Sequence, residues 1–169
     1  MRKFLILCFA LMLILSLSAC GSTSPEPAEK PAQIANPYGT YETAGQMQEA
    51  AGLQVCLPEV LPDWVTETIY RAIPGELVEV IYTDGDNEIR VRIKEGSEDI
   101  SGVYDTDARE EKDVTAGENT VHLKGKASEE GGFTVFVSTW TTAAGRTYSV
   151  TSRNGVPEEV MLPILEQIQ

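Results

Sequence analysis

The side chains able to do chemistry are few and scattered. His122 is the single histidine of the chain. Val121 and Leu123 flank it, so in a strand it alternates onto the outer face with Thr120 and Lys124. A histidine zinc site or a Ser-His-Asp triad needs that ring in a pocket with partners. The chain carries no Gly-x-Ser-x-Gly, no His-Glu-x-x-His and no Cys-x-x-Cys. The expectation is a solvent-facing structural histidine. Asp84, Asp86 and Glu88 imitate positions one, three and five of a calcium loop. Ile89 then stands at position six, where the tight loop needs glycine, so a hairpin turn explains them better. Asp105, Asp107, Glu110 and Glu111 read as a cation patch or as a solvated acidic loop, the usual state of a charge run. Glu129-Glu130-Gly131-Gly132 would repel a phosphate. These motifs assign no catalytic residue, no metal ligand and no cofactor. Trp64, Trp140 and Tyr148 remain as a binding surface for a sugar or lipid, or as core aromatics. Paired carboxylates for glycoside hydrolysis depend on separation in space, which spacing along the chain does not give.

One short stretch carries a firmer signal. Arg2 and Lys3 precede an apolar run from Phe4 to Leu17, interrupted by Ser16. Basic residues stay on the cytoplasmic side, so the run inserts with its C-terminal end outward. It falls short of the about 20 residues that a membrane span needs. Leu17-Ser18-Ala19-Cys20 closes it and resembles the lipobox of bacterial lipoproteins. The resemblance implies cleavage before Cys20 and acylation of its thiol, with the protein held on the extracytoplasmic face of the cell membrane. Two long acyl chains hold a protein there stably where one would not. The expected organisation is a signal peptide at 1–19, a lipidated cysteine and flexible Pro-rich tether at 20–39, and one α+β domain at 40–169.

Charge narrows the partners. The chain has 13 Lys+Arg against 26 Asp+Glu. Removing Arg2 and Lys3 leaves 11 against 26, a balance of −15. An acidic body repels nucleic acid and anionic headgroups. The expected partners are the membrane through Cys20 and an envelope protein or small ligand of unknown identity, with no nucleic acid. Of three cysteines, Cys8 leaves with the signal and Cys20 carries lipid. Cys56 is then alone, between Val55 and Leu57 in a strand-like run, and reads as a buried inert thiol.

The elements that must position any site follow from periodicity. Thr43 and Gln46 fit a capping box, and Gly52 a helix stop. Leu53, Val55 and Leu57 alternate as a strand. Thr66–Ile73 is another, and Leu77–Tyr82 and Glu88–Lys94 form a hairpin. With a two-residue turn at Asp84-Gly85, Val80 faces Ile89 and Glu79 faces Arg90. With a loop from Asp84 to Asn87, Val80 faces Val91 and Glu79 faces Arg92. Both registers bury the same residues and pair opposite charges. Two further hairpins are expected, Lys112–Thr115 with Thr120–Lys124 and Phe133–Trp140 with Arg146–Ser152. In the second, Phe133, Val135 and Val137 share one face, and Phe136 and Trp140 the other. Asn154-Gly155 ends the last strand, and a helix follows from Pro157 with Pro163 inside it. The fold class expected is α+β, a curved antiparallel sheet with a short N-terminal and a C-terminal helix packed on it.

Several runs resemble a known family: Tyr82–Ile89, Gly96-Ser97-Glu98-Asp99-Ile100-Ser101-Gly102, Val121–Gly125, Thr139–Thr141 and Glu158–Met161. They resemble extracytoplasmic domains of unknown function in Gram-positive lipoproteins and in exported parts of anti-sigma-factor proteins. The resemblance covers about residues 40–169 and implies a curved antiparallel sheet with packed helices. It brings no catalytic residues. The chain departs from it at Pro62-Asp63-Trp64 and in a longer Thr141–Gly145 loop. The function expected is a non-catalytic binding or interaction module in envelope sensing or regulation. A cell-wall hydrolase using carboxylates, or a carrier of an apolar ligand or lipoprotein, are the alternatives.

Overall fold

In the computed structural model, which describes residues 36–103, 107–128 and 131–168, the strands form one antiparallel sheet in the order β1-β2-β3-β4-β8-β7-β6-β5. They are β1 (Gly39–Tyr41), β2 (Glu67–Ile73), β3 (Leu77–Thr83), β4 (Glu88–Glu95), β5 (Glu110–Ala116), β6 (Asn119–Ala127), β7 (Phe133–Thr141) and β8 (Arg146–Pro157). Two four-stranded meanders meet where β4 pairs with β8. Helix α1 (Ala44–Ala51) packs on β1, β2 and β3, and α2 (Glu158–Gln167) on β5, β7 and β8. The architecture is the α+β arrangement that the patterning predicts. Pro37–Gln169 make one compact unit. Residues 1–35, where a signal peptide, the lipidated Cys20 and a tether are expected, lie outside the described residues, as do Tyr104, Asp105, Glu129 and Glu130. Among the described residues no helix is long and apolar enough to cross a membrane.

Alternation along the strands sorts the two faces. Val78, Val80 and Tyr82 of β3, Ile89, Val91 and Ile93 of β4, and Tyr148 and Val150 of β8 point into one core. Met47 and Ala51 of α1 and Met161, Ile164 and Leu165 of α2 fill it from above. Each such side chain contributes about 1.5–3 kcal/mol when fully buried. Thr43 caps α1 by accepting from the Gln46 N–H at 3.3 Å. Gly52 ends that helix with a left-handed φ of 69°. Glu158 and Glu159 occupy the first turn of α2, where the helix dipole favours them.

Four local expectations are corrected. Residues 53–57 form no strand: the Gln48 side chain takes both backbone groups of Val55, donating to its C=O at 3.3 Å and accepting from its N–H at 3.4 Å. A strand partner is thereby replaced. Val55 and Leu57 still lean on the core, but Cys56 points outward and is exposed, so it is not the buried thiol expected. On β7 the register shifts between Val135 and Val137. This bulge puts Phe133, Val135 and Trp140 in one core cluster, instead of the strict alternation expected. Finally, Asn154-Gly155 does not end β8, which runs on to Pro157 with Gly155 at φ 77°. The 77–94 hairpin takes the longer loop, with Val80 opposite Val91 and Glu79 opposite Arg92.

Candidate functional site

The helices cover one face of the sheet, and the opposite face is polar. Its register aligns Arg71, Glu79, Arg92, Ser149, Thr139, His122 and Asp113 in one row across seven strands. The neighbouring row reads Ile69, Ile81, Arg90, Thr151, Val137, Lys124 and Glu111. Period two alone dictates these rows once the pairing is set.

Glu79 is the buried centre of the first row, with no exposure. Arg92 Nε donates to its Oε2 at 2.8 Å, and Arg90 Nη1 lies 3.8 Å from the same oxygen. Arg71 Nη1 stands 3.0 Å from Oε1 as an ion pair, but off the hydrogen-bonding direction, so Oε1 has no hydrogen bond. A lone buried carboxylate would be costly, and three guanidinium groups compensate it. The Arg71 guanidinium also lies 4.3 Å over the Tyr38 ring. Burial, with the Glu79 charge behind it, raises the pKa of the Tyr38 hydroxyl.

Arg92 does a second job. Its Nη1 donates to the carbonyls of Ile100 and Ser101 at 3.1 and 2.7 Å. This clamps the Gly96–Gly102 segment across the polar face. Gly102 sits at φ 63°, and a Cβ there would lie 2.2 Å from Arg92 Nη1, so glycine is required. Asp99 accepts from the Ser101 N–H at 2.8 Å and shapes the same bend. Thr147 Oγ1 donates to the Gly96 carbonyl and holds the segment's start to β8.

The clamped segment separates two adjoining cavities. The larger, about 790 Å³, is lined by Glu98, Asp99, Glu110, Glu111, His122, Lys124 and Thr139 among others. The second, about 540 Å³, is lined by Glu88, Arg90, Asp107, Arg109, Phe136 and Arg153 among others. Ser101, Val103 and Arg109 border both. Both volumes lie in the range of ligand sites.

His122 does alternate outward, as the sequence implies, but it lands on the wall of the larger cavity. Its Nδ1 is 2.9 Å from Asp113 Oδ1 and its Nε2 is 3.4 Å from Glu111 Oε2. Asp113 thus orients the ring through Nδ1, and the exposed Glu111 stands beside Nε2. Lys124 beside Glu111 lowers the pKa of that carboxyl. Glu98, Asp99, Glu110 and Glu111 are all exposed.

The three aromatics do not form one surface. Trp140 and Tyr148 stack in the core, centroids 4.9 Å apart and planes 5° from parallel, with Trp140 bordering the larger cavity. Trp64 is half-buried and lines a separate cavity of about 370 Å³ with Leu61, Pro62 and Val160. Asp84 spends its carboxylate on the turn, accepting from the N–H groups of Asp86 and Asn87. Among the described residues no group of three or more His, Cys, Asp or Glu is placed to hold a metal ion. Motif reasoning passed over Glu79, Arg90, Arg92 and Arg153. The signal for them was the charge alternation of Arg90, Arg92 and Lys94 opposite Glu79. No family model, no curated protein and no solved structure matches the chain.

Proposed function

We propose that this protein is a lipid-anchored extracytoplasmic lipoprotein whose domain is a binding module, acting in envelope sensing or regulation through the polar face of its sheet. The observation that carries the reading is the pair of adjoining charged cavities on a face that the helices leave uncovered. Leu17-Ser18-Ala19-Cys20, after a basic start and a short apolar run, supports the anchoring. The Pro-rich stretch from Gly21 to Ala35 supports a spacer between lipid and domain.

The alternatives fare worse on physical grounds. A carboxylate hydrolase needs one acid kept protonated, and the acidic residues at the larger cavity are exposed, with the Glu111 pKa lowered. A carrier needs an exposed apolar groove, and Val60 is the exposed large apolar side chain among the described residues. Membrane fractionation of Cys20→Ala tests the anchoring. Release into the soluble fraction is expected, and continued retention would overturn it.

A further inference from the structure

We propose that the 540 Å³ cavity on the polar face binds the phosphoryl group of an organic phosphate. The inference rests on the reading of that face as the working surface, and it names the ligand class.

The chain has twice as many acidic as basic side chains, 26 against 13. Yet Arg90 from β4, Arg153 from β8 and Arg109, immediately before β5, line one cavity, against the two carboxylates Glu88 and Asp107. Directly behind Arg90, Glu79 gathers Arg71 and Arg92 as well. Among the described residues, the lining of this cavity carries three guanidinium groups against two carboxylates, the reverse of the balance of the whole chain.

Glu88 fixes two of the three guanidinium groups side by side. Its Oε1 pairs with Arg90 Nη2 at 2.7 Å and its Oε2 with Arg153 Nη2 at 2.6 Å. Each guanidinium carries five N–H donors, and the Glu88 oxygens, with the Gly85 carbonyl that Arg153 Nη1 reaches at 3.3 Å and Glu79 at 3.8 Å from Arg90 Nη1, occupy only part of them. Arg90 Nε is buried and has no hydrogen-bond partner. A buried donor left unmade is costly, and a bound oxyanion is a remedy. Glu88 already supplies the planar two-oxygen bridge between Arg90 and Arg153. An added ligand reached from three separate elements is better matched by a tetrahedral oxyanion than by a second carboxylate. The cavity is larger than phosphate alone, and Phe136 lines it with Lys126 Nζ 5.3 Å from its ring. That wall suits an apolar or aromatic body carrying the phosphoryl group.

The test is a titration of the ¹⁵N-labelled full chain, in detergent micelles, with phenyl phosphate, following the arginine Nε–H resonances. Saturable shifts are expected at Arg90 and Arg153. Arg146, held by Glu95 and the Gln54 carbonyl outside this cavity, should not move. Arg153 is half-exposed, so Arg153→Gln spares the fold and should weaken binding about tenfold. Arg90→Lys keeps the charge without the fork and should weaken it as well. Benzoate should bind about tenfold more weakly than phenyl phosphate. The proposal is overturned by an absence of saturable shifts, by equal shifts at Arg146, by unchanged affinity in Arg153→Gln, or by benzoate binding as tightly. The titration needs neither membrane nor partner. Its failure therefore leaves the interaction-module reading to be decided by crosslinking in cells.

Discussion

Arg92 Nε donates to Glu79 Oε2 at 2.8 Å, and through Nη1 the same guanidinium holds the Ile100 and Ser101 carbonyls. One side chain thus couples the buried charge of the sheet to the segment that shapes both cavities. Replacing Glu79 by alanine leaves three guanidinium groups around an empty, buried position. The expected loss is about 3–5 kcal/mol of stability, read by denaturant unfolding. A change under about 1 kcal/mol would mean that the cluster is solvated in solution.

Two glycines should respond in opposite directions. A Cβ on Gly125 would lie 2.2 Å from the Thr134 carbonyl oxygen, where β6 shifts register against β7. Gly125→Ala should therefore cost about 1–3 kcal/mol. A Cβ on Gly45, inside α1, meets only Thr43 Oγ1 at 4.0 Å. Gly45→Ala should stabilise by about 0.4–1 kcal/mol by restricting the unfolded chain. Thermal melts of the two variants against the parent check both signs.

The 84–87 turn makes a pH prediction. Hydrogen bonds from the Asn87 backbone and side chain hold the Asp84 carboxyl below its ordinary value of 3.8. A lowered folded pKa means stability that is fully present above the unfolded value. It is lost as pH falls through the folded one. Asp84→Ala should be less stable than the parent at neutral pH, and the gap should narrow below pH 3.8. A gap that stays constant down to strongly acidic pH would contradict the role given to the carboxylate.

Cys56 should label with a maleimide in the folded protein, because its side chain is exposed. Peptide mapping by mass spectrometry locates the adduct. Protection until the chain is unfolded would restore the buried-thiol expectation.

These residues also show where sequence reasoning reaches its limit. The faces of the 77–94 hairpin were legible because a period of two needs no knowledge of partners. Its register was not, since both alternatives pair valine with an aliphatic side chain and Glu79 with an arginine. The choice fell to the Asp84 carboxylate and to Thr83, whose Oγ1 donates to the Asn87 carbonyl at 2.6 Å. The false strand at 53–57 arose because a side chain, Gln48, took the place of a strand partner. The β7 bulge was invisible because Phe136, one extra residue against β6 between Val135 and Val137, is inserted into a valid alternation. The cavities depend on Arg92 reaching the Ile100 and Ser101 carbonyls, and on rows that assemble only after seven strands pair. Local pattern carries neither.

The most direct test of the polar face as the working surface is site-specific photo-crosslinking in cells. One photoreactive residue replaces Lys124, exposed at the larger cavity, and another replaces Glu159, exposed on α2. The prediction is a discrete adduct from position 124 and none from position 159. An adduct from position 159 alone, or none from either, would contradict it.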